Sequence, residues 1–435
     1  MSKLEELIKE FCPNGVEYKP LWSLTAWDKR FNGIDRSMQK KVVSYKYYLS
    51  SEFNEVERKD GDILYIPTGI TNEKKYTTEE LAGEHLAEGE IVCIPWGGTP
   101  NVKYHKGKFV TGDNRIATSL DTNILDNKYL YYWMQSKIDL IASFYRGAGI
   151  QHPSMKSVLE LQIPLPALPV QREIVQILDS FTLYSAELTA ELTARRKQYE
   201  FYRDKLLNFS SEIQFFALGD VIVSLNTGLN PRQFFHLNTP DAKNYYVTIR
   251  ELQNGKIVFT DKTDKINDFA LKLCNNRSNL EVGDVLFSGT GTIGTTAIID
   301  KPPLNWNIKE GVYAIKPNKR KINSKFLMYL LQCQSVRDLY LSKAAGGTVQ
   351  SVPMGEMKKL KIPVPPMDVQ ERIVKVLDNF DAICSDLGIG LPAEIEKRQK
   401  QYEYYREKLL TFDGKSETIF RQTDRQTDRQ TDRQG

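Results

Sequence analysis

Histidines are the first place to look for chemistry in this 435-residue sequence, because an imidazole can bind a metal or move a proton near neutral pH. The four present, His85, His105, His152 and His236, are scattered, and none stands at a metal-ligand spacing. The five cysteines, Cys12, Cys93, Cys274, Cys333 and Cys384, are odd in number and at least 51 residues apart. That is neither a disulfide framework nor a zinc spacing, so ordinary reduced thiols are expected. The segment GTGTIG at 289–294 formally fits GxGxxG, but Thr295 to Asp300 reads as a strand where a nucleotide fold needs a helix. A tight glycine turn beside a groove or a core is the expected role. There is no GxxxxGK[ST] phosphate loop, and no Asn-Pro-Pro-aromatic string placed for methyl transfer. No catalytic residue and no metal site is therefore assigned. What remains is the chemistry of binding, carried by charged and amide side chains.

The elements that would carry such groups occur twice. The segment Ile163 to Phe209 opens IPLPALPVQREIVQILDSF and closes RRKQYEFYRDKLLNF. The segment Ile362 to Phe412 opens IPVPPMDVQERIVKVLDNF and closes KRQKQYEYYREKLLTF. Gln171 matches Gln370 and Asp179 matches Asp378 at an offset of 199, whereas Gln198 matches Gln401 at 203. Matches this long mean a duplicated unit. Upstream, QHPSM (Gln151 to Met155) corresponds to QSVPM (Gln350 to Met354), each after a glycine-containing turn. YLYYWMQS (Tyr129 to Ser136) corresponds to FLMYLLQC (Phe326 to Cys333), a short helix in both. The order is variable lobe, long helix, variable lobe, long helix.

The lobes read as mixed and strand-rich, with short apolar runs at 63–66, 91–95, 285–287, 297–299 and 312–315 between glycine, asparagine and aspartate turns. In the first helix Leu178, Phe181, Ser185, Leu188, Leu192, Arg195, Tyr199, Tyr202 and Leu206 alternate spacings of three and four, a heptad seam with two polar positions. Ile373, Leu377, Phe380, Cys384 and Leu387 begin a similar seam in the second, and Tyr402, Tyr405 and Leu409 finish it. Gly388, Gly390 and Pro392 should fray or kink it between. The fold expected is α/β, of the α+β type: a pseudo-twofold duplicated protein with two mixed lobes separated by two long antiparallel coiled-coil helices. Its divisions are a first lobe (1–165), a central helical spacer (166–209), a second lobe (210–365), a C-terminal helical spacer (366–412) and a tail (413–435).

Within helix one, SAELTAELTARR at 185–196 nearly repeats a tetrapeptide. Four helical residues add roughly 6 Å of length. One unit more or less would shift the lobes by close to two base-pair rises of roughly 3.4 Å, less any tilt. A repeated lobe on a rigid spacer suits a ligand with two separated half-sites, and duplex DNA is the natural one. A net charge of +4 permits that ligand without requiring it. The candidate DNA contacts of the first lobe are Lys74, Lys75, Lys103, Lys106, Lys108, Arg115, Arg146, Gln151 and His152. Those of the second are Arg232, Arg250, Lys309, Lys343 and Gln350. Tyr199, Tyr202, Tyr402 and Tyr405 on the helices are candidates for partner docking or for intramolecular core. The opening MSKLEELIKEFCPNG lacks the basic start and apolar run of a secretion signal, and no stretch approaches 18 to 20 apolar residues, so a cytoplasmic protein is expected.

The paired VQREIVQILDSF and VQERIVKVLDNF, the two QYExYRxKLL(N/T)F endings and the AELTAEL stretch make residues 1 to 412 resemble the specificity subunit of a type I restriction-modification system. The resemblance implies that each lobe is a target recognition domain reading one half of a bipartite DNA sequence. It implies that the helices separate the lobes and dock two modification (methyltransferase) subunits, which restriction (translocase and endonuclease) subunits then join. S-adenosylmethionine, ATP and magnesium would sit on those partners, directing adenine methylation and restriction, and this chain would be a non-catalytic recognition subunit. The number of tetrapeptide units would set the spacer between half-sites. A self-contained restriction or modification enzyme, or a coiled-coil adaptor that binds no DNA, are the competing readings. The ending RQTDRQTDRQTDRQG from Arg421 departs from the pattern. Its four-residue period can be encoded by a repeated four-nucleotide word, since GAC AGA CAG ACA reads Asp-Arg-Gln-Thr. The tail is expected to be disordered and to be one reading frame of a phase-variable gene.

Overall fold

The computed structural model describes residues 2–71, 73–209, 213–385 and 390–412. The chain forms two compact units, one from the first 186 residues with the described residues from Lys397 onward, the other from Glu187–Glu396. The tail expectation falls outside the described residues, as do Leu387 and Gly388.

In the first unit β1 (Glu17–Pro20) is followed by β2 (Thr25–Trp27), β3 (Ile63–Ile66), β4 (Lys75–Thr77), β5 (Ala87–Pro95), β6 (Lys103–Thr111) and β7 (Asn114–Ser119). The last six make one sheet in the order β2-β7-β5-β6-β3-β4, antiparallel except for β3 beside β6. Its central strand β5 shows why a short apolar run suffices. Val92 and Ile94 face one core together with Tyr129 and Trp133 of the Asn127–Ser136 helix, while Ile91 and Cys93 face another with Phe109 and Ile116. Alternate side chains leave opposite faces of a strand, so a strand covered on both sides must be apolar throughout. After that helix come β8 (Tyr145–Arg146), β9 (His152–Pro153) and β10 (Gln162–Leu165), and β10 pairs back on β1.

The second unit repeats the frame. β11 (Phe215–Ala217) is followed by β12 (Ile222–Thr227), β13 (Asn244–Val247), β14 (Leu252–Gln253), β15 (Lys256–Ile257), β16 (Lys265–Ile266), β17 (Val285–Ser288), β18 (Thr296–Ile298), β19 (Trp306–Ile308), β20 (Val312–Pro317) and β21 (Lys361–Pro363). β11 pairs with β21 as β1 pairs with β10. One sheet runs β12-β20-β17-β18 and another β16-β13-β19, with β14 and β15 as a separate hairpin. Val285 and Phe287 face the core that holds Phe326 and Leu330 of the Ser324–Gln332 helix, whereas Leu286 faces the other way.

Each lobe is fastened to the start of its helix by the same polar lock. Gln171, fully buried, accepts the Asp126 N–H at 2.9 Å and donates to the carbonyls of Ile124 and Pro166, each at 2.8 Å. Gln370, equally buried, accepts the Asn323 N–H at 2.8 Å and donates to the carbonyls of Lys321 at 3.1 Å and Pro365 at 2.8 Å. Asp126 and Asn323 are in turn the N-caps of the two lobe helices. Two turns along, Asp179 accepts from Lys128 Nζ at 2.7 Å and Tyr132 Oη at 2.6 Å. Asp378 accepts from Lys325 Nζ and Tyr329 Oη, both at 2.7 Å. Burial, and then the adjacent carboxylate, raise the pKa of both tyrosines and keep their hydroxyls as donors.

The expectation of two long antiparallel coiled-coil helices is not met. The first copy is one helix of 40 residues, Leu168–Leu207, but the second is two helices, Met367–Ser385 and Leu391–Leu410, of 19 and 20 residues. Pro392, at the second position of the latter, stands where a missing N–H costs little. Several of the apolar positions are consumed by the lobes, while Phe181 stacks on Tyr405 and Tyr202 on Phe380 within their own units. Val170, Ile174 and Leu178 belong to the first unit's core, as do Leu409 and Leu410. Leu207, Ile373, Val374 and Leu377 belong to the second unit's core, with Tyr199 and Leu206 against it. At the seam position Arg195 the guanidinium turns to Glu191 and Gln198 of its own helix.

Gln171→Ala and Gln370→Ala each leave a buried N–H and two carbonyls without their partner. Either is expected to cost about 2–4 kcal/mol of the stability of its own unit, read as a lower midpoint in urea unfolding.

Candidate nucleic-acid interface

At matching places in the two units a loop after a central strand is tied to a loop before the spacer helix. In the first, Trp96 follows β5, and the N–H of Gly98 donates to the Gln151 carbonyl at 3.3 Å. In the second, Gly289 follows β17, and the N–H of Gly291 donates to the Gln350 carbonyl at 2.9 Å. Arg146 pairs with His152 across the first loop, and Ala345 with Ser351 across the second. The two loops correspond residue by residue at the offset of 199, although their sequences, RGAGIQH and AGGTVQS, are largely different. The GTGTIG segment is the turn between antiparallel β17 and β18, braced by Ser288 Oγ, which accepts the Thr295 N–H at 2.8 Å. A strand follows it, as read from the sequence.

The candidate contacts separate by environment. Arg146, Gln151 and His152 are exposed on the first loop, and Lys343 and Gln350 on the second. His152 is held there by Nδ1 against the Trp96 carbonyl at 2.8 Å, with its ring 4.9 Å from that of Trp96. Lys74, Arg232 and Lys309 are also exposed. Lys75, Lys106 and Lys108 rest on Glu57, Glu90 and Glu79 at 2.7, 3.6 and 2.6 Å, and Arg250 on Asp264 at 2.7 Å. Solvent screens such surface pairs, so these cations can exchange a carboxylate for a phosphate at small cost.

Two candidates have inward partners. Arg115 is 3% exposed, bonds Asp28 at 3.2 Å and Asp113 at 2.9 Å, and lies 4.4 Å over the Trp96 ring. It is removed from any surface a duplex could touch. Burial raises the Asp28 pKa against the opposing pull of the Ile116 N–H first and then of Arg115 and Lys29, so the guanidinium is one of the groups that keep this carboxyl tolerable in the core. Lys103 is drawn in to the carbonyls of Pro67 at 2.7 Å and Thr68 at 3.0 Å, and burial lowers its pKa. With Lys74 it lines a cavity of about 580 Å³.

The four helix tyrosines all have intramolecular partners. Tyr402 donates to Gln135 at 3.0 Å, and Tyr405 stacks on Phe181 at 5.5 Å. Tyr199 packs on the second unit's core, and Tyr202, the most exposed at 37%, stacks on Phe380 at 5.6 Å. Among the described residues no group of three or more His, Cys, Asp and Glu could hold a metal ion, and no helix is long and apolar enough to cross a membrane. Sequence reasoning did not assign a role to Gln171, Gln370, Asp179 and Asp378. The signal was there in their invariance across the duplication.

The family model of the type I restriction modification DNA specificity domain matches residues 43–195 and 210–397. The chain is 34% identical over 326 residues to a type I restriction enzyme specificity subunit of Escherichia coli, spanning 70% of this chain and 75% of that one. It is 32% identical over 323 residues to a putative type I restriction enzyme specificity subunit of Haemophilus influenzae, spanning 72% and 79%. Among solved structures, the S subunit of a type I restriction-modification system from M. genitalium aligns over 91% of this chain and 96% of its own. The TM-score is 0.54 at 16% identity, a likeness of fold.

Arg115→Ala strands Asp28 in the core and is expected to cost about 3–5 kcal/mol, while Arg146→Ala on the exposed loop should change stability by less than about 0.5 kcal/mol. Chemical denaturation of the two variants side by side checks the contrast.

Proposed function

This chain belongs to the family of type I restriction-modification specificity subunits, and we propose that it reads a bipartite target with one lobe on each half-site. As a member it is the sequence-specific DNA-binding subunit that directs methylation and restriction by its partners. The observation that carries the bipartite reading is the duplicated lock: two lobes of different surface are attached to their helices by the same buried glutamine and the same aspartate. The first lobe (1–165) and second lobe (210–365) then differ where they meet bases and agree where they meet the helices at 166–209 and 366–412. Arg146, Gln151, His152, Lys343 and Gln350 on the tied loops contact the bases or the nearest phosphates. Lys74, Lys75, Lys106, Lys108, Arg232, Arg250 and Lys309 supply backbone contacts.

The chemistry falls to the partners. Two modification subunits methylate adenine with S-adenosylmethionine, and restriction subunits use ATP and magnesium. The unbroken helix through the tetrapeptide stretch 185–196 is the part that sets the unspecified spacer. The Thr-Asp-Arg-Gln period, outside the described residues, fits a tetranucleotide tract and a phase-variable gene; mixed codons in the gene would contradict that reading.

Genome-wide methylation mapping, in cells carrying this chain with its cognate modification subunit and in a matched deletion, tests the function. The expected result is a bipartite motif that disappears with the deletion; methylation indifferent to the deletion would contradict it. Inserting one Thr-Ala-Glu-Leu unit after Leu192 is expected to leave both half-sites unchanged and to lengthen the spacer by about one to two base pairs. The same mapping reads that change.

A further inference from the structure

The tied loops carry a feature that base reading does not account for. At the tip of each, one aliphatic β-branched side chain is largely exposed: Ile150 is 71% exposed, with its Cγ2 close over Gly97, and Val349 is 60% exposed. They occupy the same position of the duplication, each followed by an exposed glutamine, Gln151 or Gln350. The loops are built to hold them out. Gly147 and Gly346 adopt φ of +143° and +126°, and a Cβ there would meet the carbonyl oxygen of Ile150 at 2.7 Å or of Val349 at 2.5 Å. Only glycine fits that turn. The cross-loop bonds from Gly98 and Gly291 fix the glutamine backbone beside each tip. A β-branched side chain has few rotamers and so keeps its direction.

The surroundings suit a polyanion. Residues 143–153 contain Arg146 and His152, residues 342–353 contain Lys343, and neither stretch contains an aspartate or glutamate. An aliphatic tip with a cation earlier in the same stretch, Arg146 or Lys343, repeated in two lobes that otherwise differ in surface, has a task independent of the bases read. Resting on the DNA-reading function above, we propose that Ile150 and Val349 are wedges that enter the base stack at the edge of each half-site. Gln151 and Gln350 follow them to hydrogen-bond the base edges thus exposed. An aliphatic side chain inserted at a base step unstacks and kinks the duplex. A methyltransferase partner needs its target base out of the stack, and unstacking beside it lowers the cost of extrusion.

The test uses the chain assembled with its cognate modification subunits and a duplex carrying its mapped motif, with 2-aminopurine placed singly beside each half-site. The unaltered complex should raise the fluorescence at both positions. Ile150→Ala should reduce that rise several-fold at one half-site, and Val349→Ala at the other, with melting temperature and preference for the motif retained. Ile150→Val and Val349→Ile should keep the signal. Undiminished fluorescence in the Ile150→Ala/Val349→Ala double variant, with specific binding intact, would overturn the proposal. Relaxed choice at a single base pair with unchanged fluorescence would also overturn it, in favour of contact with a thymine methyl group. A complex with no preference for the motif over a scrambled duplex would instead overturn the DNA-reading function itself, and the wedge with it.

Discussion

A buried carboxamide at the first turn of each spacer helix holds the rest of this structure in place. The position demands one acceptor for a backbone N–H and two donors for carbonyls, all away from water, and glutamine alone among uncharged side chains supplies both at that reach. A glutamate would bring a charge and lose the donors, and a leucine would leave three backbone groups unpaired. Gln171 and Gln370 meet the requirement with nearly the same distances. The aspartates eight residues on, roughly 12 Å along the axis, add a second point of attachment through a lysine and a tyrosine. Two points fix the direction of a helix against its lobe, whereas one would leave a pivot.

That constraint explains how the lobes can diverge. Whatever the recognition surface becomes, the N-cap turn before the Asn127–Ser136 or Ser324–Gln332 helix and the strand pair β1–β10 or β11–β21 must remain, because the lock bonds to the one and the chain enters the helix from the other. The tied loops lie on the same frame, with Gln151 one residue before β9 in the first unit and Gln350 one residue before Ser351, which bridges to Ala345, in the second. On the proposed reading, recognition residues sit on loops that differ between the two units and are carried by a shared base, an arrangement in which loop changes alter what is read without unfolding the reader.

Much of this was legible in the sequence because apolar runs and the duplication are local signals. The runs at 63–66 and 285–287 fall within β3 and β17, and the matched helices lie at 127–136 and 324–332. The heptad seam misled for a physical reason. Period-3.5 apolar spacing states that a helix buries one stripe, not what buries it, and here Leu178 goes to one lobe core and Leu206 packs against the other. The inward partners of Arg115 and Lys103 were illegible likewise: a cation in a strand carries no mark of whether a distant carboxylate or carbonyl awaits it, and Asp28 lies 87 positions from Arg115. The exposed tips Ile150 and Val349 were invisible because exposure of an aliphatic is a property of the folded loop.

On the proposed reading each lobe is a separate reader, docked on a common frame by its glutamine lock. Exchanging residues 1–165 for the corresponding lobe of a relative with a different motif, keeping Gln171 and Asp179, and mapping methylation with the same modification subunits tests it most directly. The account predicts a hybrid motif in which one half-site changes and the other half-site and the spacer persist. A change in both half-sites together would contradict it.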